Sequence, residues 1–211
     1  DQESDALMTL LHNSFRELFG HDLSETKASK GNSSGDTLEP DWQAVAAVQA
    51  LSQSFCLVSG GPGTGKTSTA ARILLLLLIR HVSKNRATAA VRLLAPTGKA
   101  AVRLHTAISQ QFQRLCGSIS IDEIGQALIA KSFPEQGETI HRALLRVPSA
   151  VGDDNLSDRI NFHRSDSFVL GAAAPSSLRA DIILIDEASM IDQKLMTDLV
   201  RAIPESSTVV M

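Results

Sequence analysis

Between residues 60 and 68 the chain reads Gly60-Gly61-Pro62-Gly63-Thr64-Gly65-Lys66-Thr67-Ser68. The glycines let successive backbone N–H groups turn inward together, because no Cβ stands in the way. Converging N–H donors, a lysine and a hydroxyl make a receptor for a polyphosphate. In such a receptor Lys66 reaches the β- and γ-phosphates of ATP, and the Thr67 hydroxyl completes the shell of their Mg2+. Residues 60–67 satisfy G-x-x-x-x-G-K-[ST] at every fixed position. A Gly-rich surface turn is the alternative. Context opposes it: the apolar run Phe55 to Ser59 precedes the loop, and a leucine-rich stretch follows it. A strand feeding the loop and a helix leaving it aim a positive helix N-terminus at the same anion.

A second group of reactive side chains closes the segment Asp181-Ile182-Ile183-Leu184-Ile185-Asp186-Glu187. A carboxylate at the tip of a buried strand is costly unless it meets a cation. Beside a polyphosphate site that cation is magnesium, which assigns Asp186 to the metal through water. Glu187 is then placed to orient or deprotonate an attacking water. Catalytic roles are thus expected of Lys66, Asp186 and Glu187, and metal binding of Thr67 and Asp186. Two acids at an ordinary strand exit are the alternative, and the complete phosphate loop earlier in the chain argues for chemistry.

Such groups need elements that end where the loops begin. The spacing predicts strands over 55–59, 90–95, 181–185 and 207–211, and helices over 65–80, 98–115 and 192–202, with helical patterns near 121–131 and 138–146. Strands alternating with helices mean an α/β layered domain with a mostly parallel sheet. Pro40 is expected to open a helix that runs to about Leu51. Leu7, Leu10, Leu11, Phe15, Leu18 and Phe19 have helical spacing, so residues 1–21 read as a helical segment, either an appendage or the tail of a further N-terminal region. Residues 22–39 have little to bury and read as a flexible linker, and 40–211 as the domain proper. The stretch 147–180 reads as irregular, with a hairpin near 159–170.

Composition sets bounds. The chain has 211 residues, 43% hydrophobic, enough for one sizeable domain. A formal net charge of −3 gives no bulk attraction to nucleic acid, though a local basic stripe is compatible with it. Cys56 and Cys116 have no metal-like spacing and suit a reducing cytoplasm. The N-terminal residues lack a basic signal-peptide region. The longest apolar run, Ile73 to Ile79, is far short of the ~20 residues a membrane span needs, so no membrane association is expected.

Three segments carry a family resemblance: GGPGTGKT at 60–67, APTGKAA at 95–101 and DEASMI at 186–191. Together they resemble the RecD-like subfamily of superfamily 1 DNA helicases, over roughly residues 40–211. The resemblance implies a RecA-like P-loop fold whose last strand lies between the strands at 55–59 and 181–185. It implies ATP and Mg2+ as ligands and 5′–3′ translocation on single-stranded DNA. It further implies a place in double-strand break repair and recombination within exonuclease V, with RecB and RecC as partner subunits.

The resemblance also implies roles for single residues. Asp41-Trp42-Gln43 is similar to the family's adenine-reading segment, and the Gln43 amide both donates and accepts. An exposed helix glutamine is the alternative. Thr97-Gly98-Lys99 is similar to a segment that grips a DNA phosphate, the alternative being a plain helix cap with a solvated lysine. Thr139-Ile140-His141 resembles a second DNA-contacting segment, and a helix cap with a surface histidine fits as well. Ser189 and Met190 resemble residues that couple the magnesium site to the DNA side, and fit equally a loop serine and a core methionine. Arg159, Phe162, His163, Arg164 and Phe168 mix basic and aromatic side chains as single-strand surfaces do, yet read better as a solvated hairpin.

The family continues with a Gly-Asp segment that senses γ-phosphate and a second motor domain bearing arginine fingers. Neither occurs in these residues, so the resemblance implies an incomplete first motor domain, inactive alone. Competing readings are a Pif1-like or conjugative-transfer helicase, a nucleoside kinase or partition ATPase, and a non-catalytic subunit that holds ATP for its shape. A kinase would carry an Arg-rich lid, which is missing. A non-catalytic subunit would have no need of Glu187.

Overall fold

Ile73 to Ile79 are seven consecutive aliphatic residues, each at most 1% exposed. A helix that is apolar all round must be enclosed on all sides. This helix, α3 (Lys66–Asn85), is packed by α1 (Gln2–Phe19), α2 (Trp42–Ser52), α4 (Gly98–Cys116), α5 (Glu123–Ser132) and the sheet strand β4 (Ile182–Ile185). The computed structural model describes residues 2–20, 41–61, 63–145 and 178–211. The expected linker at 22–39, the expected hairpin with Arg159, Phe162, His163, Arg164 and Phe168, and Pro62 lie outside them.

The sheet comprises β1 (Phe55–Cys56), β2 (Val91–Ala95), β3 (Glu138–Thr139), β4 and β5 (Thr208–Val210), in the order β1-β5-β4-β2-β3. Every pairing is parallel, and β5 lies between β1 and β4 as expected. Alternation along β4 sorts its side chains: Ile182 and Leu184 join the core under α3, whereas Ile183 and Ile185 join a second core. Helices α6 (Ile140–Leu145) and α7 (Gln193–Ala202) cover that second face through Ile140, Ala143, Leu195 and Leu199. The domain is therefore a parallel α/β sheet with helices on both sides, the fold class expected from the sequence.

Several boundaries differ from the sequence expectations, each for a local reason. Asp41 is the N-cap of α2, its carboxylate accepting from the N–H groups of Gln43 and Ala44 at 2.9 and 3.2 Å. The helix therefore starts at Trp42 rather than at the expected position 40. Regular strand β1 covers two residues instead of five, although Val58 N–H still donates to the Met211 carbonyl. Helix α3 runs five residues beyond position 80, to Asn85, where Arg86 stops it in a left-handed conformation. Strand β3 escaped prediction because it is only two residues long. It pairs with Leu94 and Ala95 of β2, and its buried Glu138 meets Arg92 at 2.6 Å. Helix α1, expected as an appendage, buries Leu11, Phe15 and Leu18 in the α3-side core, and Glu17 accepts from the backbone and hydroxyl of Ser120.

Two predictions follow from the packing. Leu76→Ala removes a side chain with no exposed surface and is expected to destabilise the fold by about 2–5 kcal/mol, read as a lower denaturation midpoint at unchanged slope. Burial raises both thiols, Cys116 from its ordinary value of 9.0 to about 11. A raised acid pKa means the folded chain holds that proton more tightly than the unfolded one. The contribution is complete below about pH 9 and lost as pH rises through about 11. Stability is expected to fall across that window, and neither thiol to react quickly with a thiol probe at pH 8 until the chain is denatured.

Candidate nucleotide-binding site

Because the strands are parallel, the segments that follow β1, β2, β3 and β4 all leave from one edge of the sheet. The Gly60–Ser68 loop follows β1 and leads into α3. Gly63 and Gly65 adopt φ values of 78° and 81°, the left-handed region that a side chain disfavours. A Cβ on Gly60 would lie 2.7 Å from Thr64 Oγ1, so the loop closes tightly on itself. Thr64 Oγ1 donates to the Gly61 carbonyl at 2.9 Å. Lys66 folds back over the loop, its Nζ donating to the carbonyls of Gly60 and Gly61 at 2.6 and 2.9 Å. Among the described residues no side chain caps the N-terminus of α3, so its first N–H groups have no side-chain partner there. Thr67 is exposed and Ser68 half-buried in that first turn.

Asp186 leaves β4 with its backbone still in the sheet, since its N–H donates to Leu94 of β2 at 3.0 Å. Its half-buried carboxylate accepts from the Glu187 N–H at 2.9 Å. Glu187 is exposed and left-handed, with φ 53° and ψ 38°. A non-glycine residue there costs about 1–2 kcal/mol, and such strain gathers at functional sites. Sequence patterns carry no signal for this strain. Ser189 and Met190 follow in a short 3-10 turn, Ala188–Met190, where both are exposed, so Met190 is not a core methionine.

Gln43 also comes to the loop. Its Nε2 donates to the Thr64 carbonyl at 3.2 Å, and its Oε1 accepts from Arg72 at 3.0 Å. Sequence reasoning missed Arg72. The available signal was a lone guanidinium one residue before the aliphatic run of α3.

The two segments expected to meet DNA emerge side by side, because Ala95 of β2 is the register partner of Thr139 of β3. The Thr97 hydroxyl caps α4 by accepting from the Ala100 N–H at 3.2 Å, with Lys99 exposed beside it. Thr139 accepts from the Arg142 N–H at 3.2 Å, and His141 is exposed. These two segments follow β2 and β3, whereas the Gly60–Ser68 loop follows β1 on the far side of β5 and β4.

The residues present fit a magnesium nucleotide. The bare glycine cradle, the inward lysine and the uncapped helix N-terminus suit a polyphosphate. Among the described residues no cluster of three or more His, Cys, Asp or Glu forms a closed metal cage. Among the described residues no helix is long and apolar enough to cross a membrane.

Known proteins resemble the chain over about four-fifths of its length. It is 31% identical over 172 residues to the RecBCD enzyme subunit RecD of Haemophilus influenzae, covering 81% of this chain and 23% of that protein. It is 32% identical over 169 residues to the subunit of the same name from Mycolicibacterium smegmatis, covering 80% and 26% respectively. A third, from Mycobacterium tuberculosis, is 30% identical over 171 residues, covering 81% and 25%. The chain thus spans about a quarter of the length of these curated relatives. The family described as AAA domain matches residues 43–211, from the glutamine beside the phosphate loop through the last strand, and the chain belongs to that family.

Proposed function

We propose that this chain is the ATP-binding part of a DNA helicase motor that couples ATP hydrolysis to 5′–3′ movement along single-stranded DNA. In this reading it works in double-strand break repair in the cytoplasm, as the RecD subunit beside RecB and RecC. The observation that carries the proposal is the shared sheet edge, which sets the phosphate loop after β1 and the acid pair after β4 on the same side of the domain. Likeness to three RecD subunits over four-fifths of the chain supports it. No observation favours a nucleoside kinase.

The chain's residues divide the work. N–H groups of Gly60 to Ser68 and the start of α3 hold phosphate oxygens, and the Lys66 ammonium, already folded over the loop, neutralises the β- and γ-phosphates. Thr67 and Asp186 would hold magnesium, which supplies further charge neutralisation. The Glu187 carboxylate orients water and takes its proton, and its exposed, left-handed placement leaves it free to do so. Gln43 addresses the adenine. Lys99 with Thr97, and His141 with Thr139, address DNA phosphates at the neighbouring strand ends.

Lys66→Ala is expected to weaken Mg-ATP binding at least tenfold in a titration with a fluorescent ATP analogue, with the thermal melt unchanged. Unaltered affinity would remove the phosphate-site assignment. Glu187→Gln is expected to keep ATP binding and to lower hydrolysis by about 10²-fold or more, because the group acts on water in the transition state and not on bound phosphate. Hydrolysis is read on the complete protein with single-stranded DNA present, and turnover at the unsubstituted rate would refute the role.

A further inference from the structure

Arg72 has no part in the chemistry above, yet it touches the site. Its Nη1 donates to Gln43 Oε1 at 3.0 Å while the other end of that amide, Nε2, donates to Thr64 in the phosphate loop at 3.2 Å. A guanidinium only donates, so it takes the oxygen end of the amide and fixes which way the amide faces. The fit is close on the loop side too, since a Cβ on Gly65 would lie 2.9 Å from Gln43 Nε2. The Arg72 guanidinium in turn lies over the Phe19 ring of α1, with Cζ 5.2 Å from the centroid. Phe19 stacks on the fully buried Phe15 at 4.7 Å between centroids. Among the described residues Arg72 Nε is buried and has no hydrogen-bond partner, a cost of the kind that calls for a reason.

We propose that Arg72 is a positioning residue that sets the Gln43 amide to prefer adenine over guanine, and that α1, through Phe19, is part of the base end of the nucleotide site. The inference rests on residues 60–68 being a nucleotide site with Gln43 at its base end. Along one edge adenine presents an acceptor, N7, beside a donor, the 6-amino group, whereas guanine presents two acceptors, N7 and O6. An amide oxygen has two lone pairs and an amide nitrogen two hydrogens. Gln43 therefore retains one acceptor site and one donor after bonding Arg72 and Thr64, in a fixed order that matches adenine. Guanine would set an acceptor against the pinned oxygen. Without Arg72 only the 3.2 Å bond to the Thr64 carbonyl still holds the amide, and the order is less firmly fixed.

The test is the affinity of this chain for Mg-ATP and for Mg-GTP, by competition against a fluorescent triphosphate, with a thermal melt on every variant. Unsubstituted protein is expected to favour ATP. Arg72→Leu is expected to reduce the ATP-to-GTP affinity ratio about three- to tenfold, the worth of one hydrogen-bonded contact. Phe19→Ala moves the ratio the same way by less, and Arg72→Lys, which keeps one donor, recovers part of it. Neither Arg72→Leu nor Phe19→Ala has any further effect on the ratio in a Gln43→Ala background. Equal losses for ATP and GTP, losses that add to that of Gln43→Ala, or no base preference in the unsubstituted chain would each overturn the proposal. Should Arg72→Leu fail to fold, Arg72→Lys and Phe19→Ala decide it by the same ratio. Lys66→Ala separates the two levels: if it leaves triphosphate binding intact, the underlying site assignment fails, and if it removes binding while Arg72 has no influence on the ratio, this inference alone fails.

Discussion

Enclosing α3 is the constraint on which the rest of the structure depends. Seven adjacent aliphatic side chains cannot leave any face of the helix to water, and burying each contributes about 1.5–3 kcal/mol. Four helices and the sheet must therefore converge on it. That convergence fixes where the helix begins, and the Gly60–Ser68 loop, the proposed phosphate site, is attached at its beginning. The hydrophobic run thus does geometric work for a polar site: it holds an uncapped helix N-terminus rigidly at the sheet edge where the acids of β4 also emerge.

Two arginines bracket that run and tie it to α2. Arg72 bonds the side chain of Gln43 in the first turn of α2, and Arg80 bonds the backbone carbonyl of Leu51 near its end. Both pairs are separated by 29 residues, so α2 and α3 run parallel in constant register. Arg80 also reaches Thr208 of β5, and burial lowers its pKa. Half-buried guanidinium groups at both ends make any sliding of α2 along α3 costly, because each would lose its acceptor without gaining water. Gln43 consequently stays beside the loop whatever surrounds it.

Much of this was legible in the sequence, for reasons that differ by element. Alternating apolar runs and helical spacing were enough for the parallel α/β class, since β2, β4 and α3 are long or strongly apolar. The position of β5 between β1 and β4 came from family resemblance, because short buried strands do not state their order. Strand β3 was hidden by its two-residue length and by a glutamate that looks solvent-facing until Arg92 is seen bonded to it. The appended look of α1 was misleading in the same way. Its helical pattern was plain, but nothing local shows that Phe15 and Phe19 close over α3 and Arg72. At the site, glycine spacing announced the loop, whereas the partners of Gln43 and the left-handed Glu187 are tertiary facts.

The sheet also constrains how the proposed nucleotide and DNA ends communicate. Asp186 N–H is bonded to Leu94, the next residue in β2 is Ala95, and Thr97 and Lys99 follow directly. Across the same strand Ala95 is in register with Thr139. The route is short, but it passes through strands whose residues are almost wholly buried, and such segments are the costliest in the molecule to displace. They act as a frame that keeps the two ends at fixed spacing. Any motion between them would have to come from what the frame leaves exposed. The 3-10 turn Ala188–Met190 meets that requirement: it follows the strained Glu187 directly, and Ser189 and Met190 are both open to solvent. Asp186 is held in the sheet through its N–H bond to Leu94, so any relaxation of the Glu187 backbone would be taken up by that turn before the strands.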